Sequence, residues 1–266
     1  MINRVQNALD SILGGLAILN SATGAGRIFE LFVMTSIAFE MRNRGFEVWL
    51  QRSDGSRIMP SDANRTFIQR GGAPTGIAAA TAGAGNATVL RLKRIPNGDE
   101  WELWNGVQFC GRSGALHEID IALVPGPVGD TLRLTGGTPF GRPRVAIECK
   151  DVQQAGSVDE MRAFVARLYD VTILKAHERY MPVSGPSAGI YPGSPTHSPF
   201  YPARLYYWDE NRHTFNAIAR RSGFTSGAAA MTAYYAIEPH SSITVGSSQA
   251  TVLVGAVCQW IEDECP

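Results

Sequence analysis

Four charged residues in two short segments define the chemistry open to this chain: Glu118 and Asp120 within residues 117–124, and Glu148 and Lys150 within residues 145–150. Both segments read as strands, and residues two apart on a strand share a face. The spacing therefore predicts Glu118 and Asp120 on one side, with Ile119, Ile121 and Leu123 on the other. In the second segment Glu148 and Lys150 share a face, opposite Ile147 and Cys149. Paired as neighbours, the two strands bring three carboxylates and one ammonium to a single patch. Core strands seldom carry such groups inward, because a buried charge is costly without partners or a metal.

Clustered carboxylates beside a lysine suit a hard, oxygen-seeking cation such as Mg²⁺, with Mn²⁺ as a substitute. Mg²⁺ is commonly held by one or two carboxylates and keeps several waters. Such an ion acidifies water and neutralises charge on a phosphoryl oxygen. On this reading Asp120, Glu148 and the backbone carbonyl of Cys149 are ligands, and Lys150 positions or deprotonates the attacking water. Glu30, delivered by a preceding helix, would hold a water of the ion or a second ion. Glu118 is an auxiliary carboxylate, and His117 an orienting residue rather than a ligand. The rival reading is the solvated face of an edge hairpin, with Lys150 paired to Glu148. The apolar runs 121–124 and 145–147 argue against it, since near-continuous apolar runs mark central strands.

The elements that must position these groups are legible in the periodicity. Val5, Leu9, Ile12, Leu13, Leu16 and Leu19 form a helical stripe over 1–20, interrupted by Gly14-Gly15. Residues 27–44 predict a helix that is apolar nearly all round and hence buried, with Glu30 in line with Val33, Met34 and Ile37. Gly45 ends it, and 46–50 reads as a strand. Residues 53–88 read as surface loop; no phosphate-cradling glycine motif occurs there. Residues 89–95 and 100–104 read as a hairpin around Pro96-Asn97-Gly98-Asp99, with a second turn at Asn105-Gly106. The Gly/Pro-rich connection 125–143 holds a short strand at Leu132 and Leu134. Ser157 with Glu160 has capping-box spacing and opens a helix. Residues 181–203 hold six prolines and read as a surface insertion before a strand at 204–208. Phe215 to Ile218 is a short strand or turn, Thr225 to Ile237 a helix, and the tail returns to the core.

Composition limits the alternatives. At 266 residues, 44% apolar and 18% charged, the chain is an ordinary globular protein with zero formal net charge. No bulk basic charge advertises a polyanion partner; basic surface is local, at Arg112 and at Arg212, His213, Arg220 and Arg221. The four cysteines have no zinc spacing, nor do His177, His197, His213 and His240. The absence of a signal-like leader or a long apolar run predicts a cytoplasmic protein without membrane contact.

Four motifs, in order, resemble the PD-(D/E)XK (restriction endonuclease-like) nuclease superfamily, closest to its Mrr-type restriction endonucleases. They are Phe29-Glu30-Leu31-Phe32-Val33 followed by Gly45-Phe46-Glu47-Val48; Gly114 to Asp120; Ile147-Glu148-Cys149-Lys150; and Arg221-Ser222-Gly223-Phe224-Thr225 with Ala228-Ala229-Ala230. The likeness covers 27–50, 112–175 and 204–238; Ile119 stands where the family pattern has proline.

The resemblance implies an α/β fold: a restriction endonuclease-like core with a central mixed sheet flanked by helices, in one domain over 1–266 with insertions at 53–106 and 181–203. It implies a Mg²⁺-dependent endonuclease acting on DNA in restriction or anti-phage defence, working as a homodimer or with a defence-system partner subunit. Glu30, Asp120, Glu148 and Lys150 are its expected catalytic residues; the local basic residues Arg112, Arg212, Arg220 and Arg221 read, independently of the resemblance, equally as nucleic-acid contacts or as solvated surface. Two other readings stand beside it: a catalytically silent nuclease-fold module that binds nucleic acid or a partner, and an RNA-directed or partner-activated nuclease.

Overall fold

The computed structural model describes residues 1–20, 25–68, 88–96, 98–111, 113–135, 138, 143–171 and 214–265. In chain order the elements are α1 (Ile2–Leu13), β1 (Ile18–Asn20), α2 (Ala25–Asn43), β2 (Phe46–Arg52), β3 (Thr66–Ile68), β4 (Thr88–Arg94), β5 (Glu100–Cys110) and β6 (Leu116–Pro125). They continue as α3 (Gly126–Thr135), β7 (Val145–Lys150), α4 (Val158–Val171), β8 (Phe215–Arg220), α5 (Ser226–Tyr234), β9 (Glu238–His240) and α6 (Ser248–Glu264). The readings for 69–87, 181–203 and 204–208, and the residues Arg112, Arg212 and His213, lie outside the described residues.

Seven strands form one sheet in the order β2-β4-β5-β6-β7-β8-β9. Pairing is antiparallel from β2 to β7 and parallel from β7 through β8 to β9, so the sheet is mixed. Helices α1, α2 and α6 pack on one face in a cluster with Leu103, Ile121, Leu123, Ile147 and Cys149. Helices α3, α4 and α5 cover the other, with Trp104, Ala122, Val124, Ala146 and Ile218. This is an α/β protein with a sheet clad on both sides. Strands β6 and β7 lie in its middle, which is why 121–124 and 145–149 are buried without alternation.

Helix α2 holds the layer together. Phe29, Leu31, Val33, Met34, Ile37, Ala38 and Met41 are all at most 1% exposed, and full burial of each large apolar side chain contributes roughly 1.5–3 kcal/mol before entropy is counted. It ends where Gly45 takes a left-handed conformation, φ 92°. Among the described residues no helix is long and apolar enough to cross a membrane.

Several local expectations change. Asn105-Gly106 is no turn: β5 runs unbroken through it, and Asn105 is buried. Residues 126–135 are helical rather than a strand, with Pro127 in the first turn, where its missing N–H removes no helical bond. Helix α1 stops at Leu13, with Gly14 as a left-handed cap, instead of continuing to residue 20. β1 instead pairs in parallel with β3, two short strands in segments whose patterns read as the end of a helical stripe and as loop.

Candidate active site

β6 and β7 pair only over Ile121↔Ile147, Ala122↔Ala146 and Leu123↔Val145. The next pair in that register would be Asp120 opposite Glu148, and there the ladder stops. Instead the Asp120 carboxylate enters the gap and its Oδ2 accepts from the Cys149 backbone N–H at 2.7 Å. The two strands thus form a fork with a carboxylate on each prong. N–H and C=O of one strand residue project to the same side, so the Cys149 carbonyl also faces the fork.

The strict alternation expected along β6 fails at this point. Ile121 belongs to the α1/α2/α6 side of the core and Ile119 to the opposite side. On β5, Val107 lies opposite Ile119 and joins the same cluster, whereas Asn105 lies opposite Ile121. Between them Gly106 has φ 64°, a left-handed conformation that a Cβ would resist. Gly106 thus lets both strands switch faces at Asp120. The Asp120 carbonyl, out of the ladder, accepts from the Asn105 side chain at 3.0 Å.

Asn105 is the first site residue that the sequence reading missed. The same amide donates to Glu30 Oε2 at 2.9 Å, tying α2 to the fork. Its only sequence signal, an Asn before a Gly, reads as a turn. The second missed residue is Arg167 on α4, whose Nη2 reaches Glu148 Oε1 at 2.6 Å. Nothing in its spacing distinguishes it from any helix-surface arginine.

Glu148 is 1% exposed, and Oε1 accepts from both Lys150 and Arg167. Its Oε2 is buried with no hydrogen-bond partner. The Glu148–Lys150 pair expected for a solvated edge hairpin is therefore present, but within a central strand.

The electrostatics follow from this crowding. Burial, then the Glu148 charge and more weakly Glu30, push the Asp120 carboxyl up to about 7, against the Cys149 N–H and Lys150. Burial also raises Glu30, with Glu118 adding to the effect, while the Asn105 bond and Arg27 oppose it. For Lys150, burial disfavours the ammonium, but the charge and hydrogen bond of Glu148 outweigh it and the pKa is raised. Lys150 is thus a cationic donor at neutral pH, not a base.

The remaining expected residues sort by their contacts. Glu30, Glu118, Asp120, Glu148 and Lys150 act on one another across the fork. His117 sits aside: its Nε2 lies 2.7 Å from Asp170 Oδ2, and Asp170 also accepts from Ser113 N–H at 2.8 Å. Arg220, expected on a basic surface, is instead 1% exposed, its guanidinium enclosed by Glu160 and the Gln154 carbonyl. Its position on β8, beneath the capping-box helix, explains the burial. Arg221 is exposed, as expected, and pairs with Asp151 at 3.0 Å.

Among the described residues no three His, Cys, Asp or Glu side chains are gathered closely enough to hold an ion as they stand. The donor set nonetheless fits a hard cation: buried carboxylates, a carbonyl facing the same gap, and one buried carboxylate oxygen lacking any partner. A cavity of about 430 Å³ lies elsewhere, lined by Arg4, Phe32, Phe39, Glu40 and Ser247 and by no fork residue. No family model, curated protein or solved structure compared with the chain matches it. The functional reading therefore rests on the fork itself.

Proposed function

We propose that the chain is a Mg²⁺-dependent endonuclease with a restriction endonuclease-like core, hydrolysing phosphodiester bonds of DNA in restriction or anti-phage defence. One observation carries the reading. Where β6 and β7 part, Asp120, Glu148 and Lys150 meet Glu30 from α2, and Glu148 keeps a buried oxygen unbonded. Structural carboxylates are seldom left in that state, because an unsatisfied buried acceptor costs about 1–3 kcal/mol and more when charged.

Asp120, Glu148 Oε2 and the Cys149 carbonyl would hold the ion. Bound there, Mg²⁺ lowers the pKa of water and offsets charge on a phosphoryl oxygen. The protein's own groups do the rest. Lys150, as an ammonium, orients the attacking water and donates to the phosphoryl oxygen that gains charge. Glu30, its carboxyl raised by burial and held by Asn105, accepts the water's proton. The water oxygen bonds to phosphorus as the bond to the leaving sugar oxygen breaks, and that oxygen takes up a proton from solvent.

The test is cleavage of supercoiled plasmid and of RNA with Mg²⁺ or Mn²⁺ by wild type, Lys150→Ala and Asp120→Ala. Wild type is expected to cut plasmid, and each variant to lose about 10²–10⁴-fold. Equal activity in all three, or none in any with either metal, sinks the assigned site. Cutting of RNA alone would move the substrate to RNA. A folded chain that binds no divalent ion would be the silent module.

A further inference from the structure

Arg167 touches both prongs of the fork. Its Nη2 donates to Glu148 Oε1 on β7 at 2.6 Å, and its Nη1 donates to the Glu118 carbonyl on β6 at 3.4 Å. Both contacts lie beyond the last paired residues, Ile121 and Ile147. The guanidinium also rests over the Phe164 ring, 5.5 Å from its centroid and one turn earlier on α4. A guanidinium is a rigid planar fork, so seating it on an aromatic face fixes the direction of both donors. Lys150 shares the same Glu148 oxygen, which leaves Oε2 without a partner.

We propose that Arg167 is a positioning residue: it clasps β6 and β7 across the fork and holds Glu148 by Oε1, so that Oε2 is presented to a divalent cation shared with Asp120. The proposal rests on the metal-dependent reading above. It also explains why two cations share one oxygen. With Arg167 in place, Glu148 keeps a counter-charge when Lys150 leaves it for substrate. Without Arg167, Lys150 is the only cation bonded to Glu148 among the described residues and stays bound to it.

Groups that orient a metal ligand from outside the coordination sphere typically change metal affinity or activity about 10–100-fold when removed. The experiment is calorimetric titration of the full chain with Mn²⁺ alone, for wild type, Arg167→Ala and Arg167→Lys, with a melting curve for each. Arg167→Ala is expected to bind Mn²⁺ about 10–100-fold more weakly while remaining folded. Arg167→Lys should recover only part, because a point-charge ammonium reaches one prong and not both. On DNA, kcat should fall with KM unchanged; an arginine contacting the phosphate backbone would instead raise KM and change the salt dependence.

Wild-type Mn²⁺ affinity in Arg167→Ala overturns the clasp, as does full recovery in Arg167→Lys. Should Arg167→Ala fail to fold, Arg167→Lys and Arg167→Gln carry the same comparison. A wild type that binds no Mn²⁺ overturns the functional reading together with the clasp. Tight wild-type binding with an unaffected variant overturns the clasp alone.

Discussion

Two glutamates lie buried on strands of the same sheet, and their surroundings could hardly differ more. Glu102, on β5, is fully buried; its Oε1 accepts from Arg91 at 2.8 Å and from Arg133, and its Oε2 from Trp104 Nε1 at 2.9 Å. Asp130 closes the network by pairing with both arginines. Every oxygen of Glu102 is bonded, although Nε of Arg91 and of Arg133 is not, and with Glu100, which pairs with Arg91 and Lys93, three carboxylates meet three cations. At the fork, by contrast, four carboxylates gather around Lys150, Arg167 and Arg27, and Glu148 Oε2 is bonded to nothing. Under the proposed function, the network that bonds both oxygens of Glu102 holds the fold, and the cluster that leaves Glu148 Oε2 unbonded, with surplus carboxylates, is the site for the cation. Burial alone does not separate the two, since both glutamates are at most 1% exposed. Satisfaction of the second oxygen does.

The contrast is tested most severely at Glu102. Glu102→Ala leaves Arg91 and Arg133 as buried charges without their central partner, and should destabilise the fold by about 3–5 kcal/mol in urea unfolding. A loss below roughly 1 kcal/mol would mean that the network is dispensable and the distinction false.

A smaller effect is expected from α3. A Cβ on Gly129 would collide with the Glu102 carboxylate, so Gly129→Ala should destabilise by about 1–3 kcal/mol, the usual range for overpacking. Mn²⁺ binding, read by calorimetry, should not change, because Gly129 is remote from the fork.

Burial raises the carboxyl of Glu102 as it does that of Asp120, so both regions respond to pH in the same direction, and the fork is tested at Asp120. Asp120 has a native pKa of about 7, above its unfolded value of roughly 4. A carboxyl raised in this way binds its proton more tightly in the native state. Its contribution is therefore complete below about pH 4 and is lost as pH rises through 7. Without divalent ions, melting temperature should drop across that window. Asp120→Asn should flatten the drop and, at pH 7.5, raise the melting temperature by about 2–4 °C, the shift of roughly 1 kcal/mol in a chain of this size. A variant that melts lower than wild type at pH 7.5 would show that Asp120 is satisfied after all.

The least effect belongs to an ion pair on the open surface. Asp159 and Arg162, on the exposed side of α4, meet at 2.7 Å with side chains 85% and 68% exposed. Replacing either by alanine should change stability by roughly half a kcal/mol or less and leave DNA cleavage intact.

Much of the molecule could be read from residue order. The nearly all-round apolar helix that carries Glu30 is α2, ended by Gly45 as expected. The apolar runs 121–124 and 145–147 are the central strands β6 and β7, lying side by side. The hairpin across Pro96 is β4 and β5. What escaped depended on distant partners. Thr66–Ile68 is a strand only because Ile18–Asn20 lies beside it. Asn105-Gly106 has turn chemistry, yet β5 continues through it between its neighbouring strands, and the left-handed Gly106 turns the strand over rather than back. Arg220 has the composition of a surface cluster but is buried, because β8 is flanked on both sides.

By itself, then, the sequence marked Glu30, Asp120, Glu148 and Lys150 as charges set against apolar runs, and local periodicity places each on its helix or strand, but it did not mark Arg91, Glu102, Arg133 and Arg220 as buried. Only the tertiary structure decided how those charges are met. It ended the β6–β7 ladder at Ile121 and Ile147, brought Asn105 to Glu30 across 75 positions, and set Arg167 over Glu148. The physical reason is range. Periodicity reports on neighbours a few residues apart, whereas the satisfaction of a buried oxygen depends on groups far along the chain that only packing brings within 3 Å.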